Sequence, residues 1–266
     1  AAISYEVTVL NAKAAVVISS EMQYHPNPPT VERDPRTQQN LGRILLPQIH
    51  RCEANRLILG NQTKRSQLSL ICAIDHLVET DCRFSSESES FEDGGHFVLT
   101  CEAQTEHPIK LTKFMTYHTS EQLSFRKLLG LAEQTLDRAV THGFEKLLCG
   151  QRQYLEDFWY RSDVRIDGDP GRDNRAAEFQ QALRFNLFQI FQATVQVGDG
   201  GVPAKGLTGQ AYDGNYFWDT EIYLLPFLTY TAPRIARNLL ALRYRMLDQA
   251  RERARDRSTS ATSACS

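Results

Sequence analysis

The spacing of hydrophobic residues in this chain changes near Glu121, and that switch constrains the fold more than any other feature. Before it, apolar residues alternate. Ile3, Tyr5, Val7 and Val9 share one face of the run Ile3–Leu10, and Leu68, Leu70, Cys72 and Ile74 do the same further on. An extended strand sends successive side chains to opposite faces, so a period of two predicts half-buried strands. Short apolar runs at Val16–Ile18, Leu57–Leu59, Phe97–Leu99 and Ile109–Tyr117 continue the pattern, and Gly60-Asn61 is a turn signal. Several short strands between polar turns predict an antiparallel β-sandwich. Two polar interruptions, the proline-rich Tyr24–Gln39 and the Ser/Glu-rich Ser85–Gly95, read as solvated loops.

After Glu121 the spacing becomes helical. Leu128, Leu129, Leu131, Leu136, Val140, Phe144, Leu147 and Leu148 recur every three to four residues, with Gly150 as an expected end, and the pattern resumes through Tyr154, Phe158 and Trp159. The Asp/Gly/Pro cluster Asp167–Asn174 breaks it. A second helix is expected from Arg175 to Val195, with Phe179, Leu183, Leu187, Ile190 and Phe191 on one stripe, closed by Gly198, Gly200 and Gly201. A third is expected from Pro233, with Thr231 as its cap and Ile235, Leu239, Leu242, Met246 and Leu247 facing inward. These stripes read as core. Beyond Arg257 the Ser/Thr/Ala run to Ser266 is low in complexity and reads as disordered.

The 266 residues are enough for one large domain or two smaller ones. With 30 basic and 32 acidic residues interspersed, the net charge of −2 creates no field for nucleic acid or an anionic membrane, so neither is expected as a partner. No stretch approaches the roughly 18 uninterrupted apolar residues of a membrane-spanning helix. The start, Ala1-Ala2-Ile3-Ser4-Tyr5-Glu6, lacks the basic and apolar regions of a signal peptide and reads as a strand already under way. Cys52, Cys72, Cys82, Cys101, Cys149 and Cys265 form no C-x-x-C pair and lie at no zinc spacing; they read as reduced thiols of a cytoplasmic protein, and no metal site is expected.

The chemistry concentrates in one loop. Lys205-Gly206-Leu207-Thr208-Gly209 leads through Tyr212 and Gly214 into Phe217-Trp218-Asp219-Thr220-Glu221. An aromatic face accepts the C–H face of a pyranose, and a neighbouring carboxylate accepts hydrogen bonds from its hydroxyls. The same residues also read as a plain turn with a core Trp and an acidic helix start, since acids are favoured there. Asp219 and Glu221 stand two residues apart, which on a helix puts them on different faces. They make a poor acid/base pair for inversion, which needs carboxylates roughly 6.5–9.5 Å apart.

The stretch Gly201-Val202-Pro203-Ala204-Lys205-Gly206-Leu207-Thr208-Gly209 followed by Phe217-Trp218-Asp219-Thr220-Glu221 resembles the signature of glycoside hydrolase family 65, the maltose, trehalose and kojibiose phosphorylases with the acid trehalases. The resemblance continues through Leu225-Pro226-Phe227, Tyr230-Thr231, Pro233, Ala236–Leu240, Arg243-Tyr244-Arg245, Leu247 and Ala250-Arg251. Upstream it takes in Trp159, Asp163, Ile166, Asp169 and Gln181–Gln189. It is specific from about Lys113 to Arg253. Asn215 stands where the family is expected to carry His, which puts any role of that imidazole in doubt.

The resemblance implies an α+β multidomain chain: part of an antiparallel sandwich at 1–125, a helical linker at 126–175, the first helices of an (α/α)6 barrel at 176–254 and a disordered tail at 255–266. It implies an inverting α-glucoside phosphorylase or hydrolase acting on maltose-, trehalose- or kojibiose-like disaccharides, often dimeric, with no cofactor and with inorganic phosphate as co-substrate in a phosphorylase. Trp218 and Asp219 match the family's contacts to the non-reducing glucose; Lys205, Thr208 and Glu221 share the motif without an assigned role. The family's general acid, a Glu, and its phosphate site lie further along the barrel, so no catalytic residue is expected in this chain. We therefore read it as a fragment of such an enzyme, from a truncated or frame-shifted gene. The alternative is a non-catalytic carbohydrate-binding remnant.

Overall fold

A computed structural model of the chain describes residues 1–24, 43–168, 175–195, 201–207, 212 and 215–263, with side chains in the last helix to Arg255. The chain divides into two compact units, with the change at Gln153/Tyr154.

The first unit holds eight strands: β1 (Ala2–Thr8), β2 (Ala14–Gln23), β3 (Leu45–Glu53), β4 (Arg56–Thr63), β5 (Ser69–Glu79), β6 (Phe84–Phe91), β7 (Gly94–Ala103) and β8 (Pro108–Ser120). They form a five-stranded sheet in the order β1-β8-β5-β4-β3 and a three-stranded sheet in the order β2-β7-β6. Every pairing is antiparallel. Between the sheets, Leu57, Leu59, Ile74, Ile109 and Leu111 pack against Met22, Phe97, Leu99, Cys101 and Ala103. Alternation places the opposite set, Ile58, Ile71, Ala73 and Phe114, on the outer face of the larger sheet, where Leu128, Ala132 and Leu136 of helix α1 (Phe125–Ser162) cover them. The result is a sandwich with a helix laid on one side. Gly60 is required there, because a Cβ on it would run into the Phe125 ring and Ile49.

Three strands depart from the sequence reading. β4 runs straight through Gly60-Asn61, expected as a turn, with both residues paired in the ladder to β5. β6 occupies Ser85–Phe91, expected as a loop. Its alternation is of Ser against Glu, without an apolar face, and it lies at the edge of the smaller sheet, where such charge is tolerated and blocks further pairing. β3 carries Pro47 in mid-strand. Proline has no N–H for a ladder, and the strand sits at the sheet edge with its register shifted between Pro47 and Ile49. On β1, Ile3 and Tyr5 are both 54% exposed rather than buried. A three-stranded sheet is too narrow to cover the edge of a five-stranded one. The interruption expected at Tyr24–Gln39 lies, from residue 25 onward, outside the described residues.

The helical run of α1 breaks at Gly143 (φ 73, ψ 165) and passes through Gly150, which was the expected end. Glycine alone adopts that left-handed backbone freely, and position 143 has open space around it.

The second unit contains α2 (Arg175–Val195), a five-residue π-helical turn (Thr220–Leu224), α3 (Leu225–Thr231), α4 (Pro233–Arg245) and α5 (Leu247–Ser263). Val202, Ala193, Leu225, Leu228, Ala236 and Leu239 form its core. Thr231 does not cap α4. Its hydroxyl donates back to the Phe227 carbonyl at 2.9 Å, and Ala232 takes the cap position without a side-chain bond. Phe179, expected in the core stripe of α2, is 59% exposed. The backbone of α5 is helical to Ser263, past residue 255 where a disordered tail was expected. Its first half, rich in Ala, Arg and Glu, has the high helix propensity that carries it there. The breaker Asp169–Asn174, Gly198, Gly200 and Cys265 lie outside the described residues.

Candidate sugar-binding site

The loop before the π-helical turn is built by short-range bonds. Gly206 (φ 64) turns the chain, its N–H donating to the Pro203 carbonyl at 2.9 Å. Ala204 N–H donates to the Asn215 carbonyl at 3.0 Å and joins the two halves of the loop. Asn215, at the position where His was expected, donates from both its backbone N–H and its side-chain amide to the Tyr212 carbonyl, each at 2.9 Å. Asn215 thus closes a turn that Tyr212 enters with a left-handed φ of 60. Gly201 is needed beside it, since a Cβ there would meet the Tyr216 ring at 2.8 Å. Val202, 4% exposed, anchors the loop in the core of the second unit.

Trp218 and Asp219 stand where this loop becomes helix. Trp218 is 64% exposed, so it is not a core residue in this chain. Its carbonyl accepts from Glu221 N–H at 3.0 Å and Ile222 N–H at 3.2 Å, fixing the backbone beneath the indole. Asp219 takes the N-cap position of the π-helical turn, and its carboxylate makes no capping bond. An exposed indole and an adjacent carboxylate not used as a cap together form a surface that can stack on and hydrogen-bond to a polyhydroxylated ring.

Glu221 is engaged by an arginine. Arg243, on α4, donates from Nε to its Oε1 at 2.6 Å and from Nη2 to its Oε2 at 2.8 Å. The Arg243 guanidinium holds the Glu221 carboxyl below the usual carboxylate range against an opposing contribution from partial burial, and Arg243 is raised in return. Glu221 is therefore an engaged anion rather than a proton donor, and it braces Arg243. Lys205 lies exposed in the Ala204–Leu207 turn, and Thr208 lies outside the described residues.

Sequence reasoning missed three supports. Arg243 had no assigned role, since its partner is 22 residues away and no local period links them. Tyr216 carries the Arg243 guanidinium over its ring at 4.4 Å. Gln180 pins the segment after α1, donating to the Val164 carbonyl and accepting from Ile166 N–H, both at 2.8 Å, one turn from the Arg184–Asp163 ion pair. A separate cavity of about 400 Å³ is lined by aromatic residues including Tyr154, Phe158, Phe191 and Phe227, and lies apart from Trp218. Among the described residues, no group of three His, Cys, Asp or Glu is placed to hold a metal, and no helix is long and apolar enough to cross a membrane. The five described cysteines are free thiols.

Comparison with known proteins gives this geometry a family. The description "Glycosyl hydrolase family 65, N-terminal domain" matches residues 1–158, and "Glycosyl hydrolase family 65 central catalytic domain" matches residues 184–262. The chain is 34% identical over 257 residues to an alpha,alpha-trehalose phosphorylase of Thermoanaerobacter brockii, covering 96% of this chain and 32% of that protein. It is 38% identical over 156 residues to a kojibiose phosphorylase of Halothermothrix orenii, covering 56% of this chain and 19% of that protein. A solved structure named "Putative kojibiose phosphorylase from human microbiome" superposes with a TM-score of 0.75 at 22% identity, covering 96% of this chain and 31% of the other. That last likeness speaks to the fold alone. The chain spans about a third of the length of the curated relatives it matches over nearly all of itself. With its N-terminal sandwich and the beginning of the catalytic domain both matched, the chain belongs to glycosyl hydrolase family 65.

Proposed function

We propose that this chain supplies the glucose-facing edge of an inverting α-glucoside phosphorylase, with Trp218 stacking on the non-reducing glucosyl ring of a disaccharide and Asp219 accepting from its hydroxyls. The observation that carries the reading is the pairing of a 64% exposed indole with a neighbouring carboxylate that caps nothing. Such contacts act in catalysis by positioning the sugar against the reacting groups. Lys205, Thr208 and Glu221 support the motif. The helices from α2 onward begin an (α/α)6 barrel, and the general acid and the site for inorganic phosphate lie outside these 266 residues. The working protein is cytoplasmic, homodimeric and free of cofactor. The names of the trehalose and kojibiose phosphorylase relatives support the choice of a glucosyl disaccharide.

Glucose titration of the 266-residue chain by calorimetry tests the site. Trp218→Ala and Asp219→Asn each weaken binding at least tenfold, about 1.4 kcal/mol, as expected for losing one stacking surface or one charged acceptor. Affinities within twofold of the parent in both variants would remove these two residues from the sugar site.

A further inference from the structure

Three residues flanking Trp218 and Asp219 converge on one side chain. Arg243 binds the Glu221 carboxylate through two N–H groups, at 2.6 and 2.8 Å, and lies 4.4 Å over the Tyr216 ring. Its Nη2 also approaches the Phe217 carbonyl at 3.5 Å. Tyr216 is held in turn by its hydroxyl on the Met246 sulfur at 2.8 Å and by its ring packed over Gly201. Residues 216 and 217 precede the Trp218-Asp219 pair and residue 221 follows it. Arg243 thus grips the turn from both ends, with its hydrogen bonds and ring contact on the flanking residues. The Glu221 and Arg243 side chains are 29% and 37% exposed, so the pair is partly screened by water and its two parallel bonds matter for geometry more than for stability. The contact needs a planar fork that can bind a carboxylate with two parallel bonds and lie flat on a ring; an ammonium cannot do both.

We propose that Arg243 is a positioning residue for sugar recognition: acting through Glu221 and Tyr216, it sets the direction in which Trp218 and Asp219 face the glucosyl ring. The proposal rests on the sugar-binding role given above to those two residues. The backbone around them favours such control. The π-helical turn Thr220–Leu224 begins directly after Asp219, and Leu225 N–H closes it on the Thr220 carbonyl. A π turn is the less stable register, so an outside brace decides where its first residues point.

The test uses the full chain carrying Trp159→Phe, which leaves Trp218 as the sole indole. Arg243→Met, Arg243→Lys and Glu221→Gln are made in that background. Two quantities are read: the chemical shift and linewidth of the Trp218 indole N–H, and the affinity for glucose by calorimetry. We expect Arg243→Met to displace or broaden the indole signal and to weaken glucose at least tenfold. Arg243→Lys, which keeps the charge and loses the fork, gives an intermediate shift and recovers part of the affinity. An indole signal unmoved in Arg243→Met and Glu221→Gln overturns the proposal. Should Arg243→Met fail to fold, Arg243→Lys and Glu221→Gln decide by the same signal. If the parent does not bind glucose yet the indole moves in the variants, the sugar reading fails while the bracing by Arg243 stands.

Discussion

His76 is a buried base whose environment is fully specified. It is 4% exposed and stacks on Phe97 with ring centres 4.2 Å apart. Nδ1 lies 2.9 Å from the Asn55 carbonyl, an acceptor only, so Nδ1 carries the proton and Nε2 accepts from the Ser20 hydroxyl at 2.7 Å. Burial, followed by the charge of Lys113, pushes the imidazolium pKa below its usual value; the Asn55 bond and Asp75 oppose this without reversing it. The unfolded chain gains a proton at this site as pH falls through about 6.5, and the folded chain does not. Stability is therefore retained above about pH 6.5 and lost as pH falls from there toward the depressed folded value. The loss approaches about 1.4 kcal/mol per pH unit where only the unfolded state titrates. Urea unfolding of the sandwich at pH 8 and pH 5.5 should show this slope, and His76→Gln should flatten it. Glu221 and Asp163, both held low by arginine partners, titrate at more acid pH and leave that window clear. Trp218 and Asp219 could be singled out as candidates from their chemistry and family likeness. The bonds that orient them were not, because a contact such as Glu221–Arg243 exists only after α4 has packed back on the loop.

At the scale of elements, β6 shows how an edge can be kept soluble by composition alone. Glu87 and Glu89 are exposed on a strand with one unpaired side. Replacing Glu87 with Val removes a charge that repels incoming strands while changing little in the folded state. We expect Glu87→Val to shift the unfolding free energy by no more than about 0.5 kcal/mol and to raise light scattering on incubation at 37 °C. Unchanged scattering would show that the edge is protected in some other way. The strands with apolar alternation were readable from sequence because burial on one face imposes period two. β3 and β6 were not, since Pro47 interrupts one and the other has no apolar face to announce. Helix existence was legible, helix ends less so. Gly143 and Gly150 look equivalent in sequence, and only the backbone shows that Gly143 takes the left-handed turn.

At the scale of the whole chain, the sandwich matches the family's N-terminal domain and the helices match part of its central domain. Glu221 is committed to Arg243, and the Asp219 carboxylate makes no capping bond. The 266-residue chain is expected to bind glucose yet to release no glucose 1-phosphate from maltose, trehalose or kojibiose with inorganic phosphate, measured by an enzyme-coupled assay; turnover above background would place a general acid within this sequence. Sequence periodicity could divide the chain into sandwich and helices, because that division follows from burial. It could not choose a substrate.

The π-helical turn has a geometric consequence of its own. Each α-helical residue advances the chain by about 100° around its axis, and a π turn holds one residue more than an α turn. Thr220–Leu224 therefore acts as a one-residue phase shift between the helix that follows and the pair that precedes it. Relative to the buried Leu225 and Leu228, Trp218 and Asp219 sit about a third of a revolution from where an uninterrupted helix would put them. Loss of Ile222 or Tyr223 would keep every side chain of the motif and rotate the indole and carboxylate relative to the buried Leu225 and Leu228.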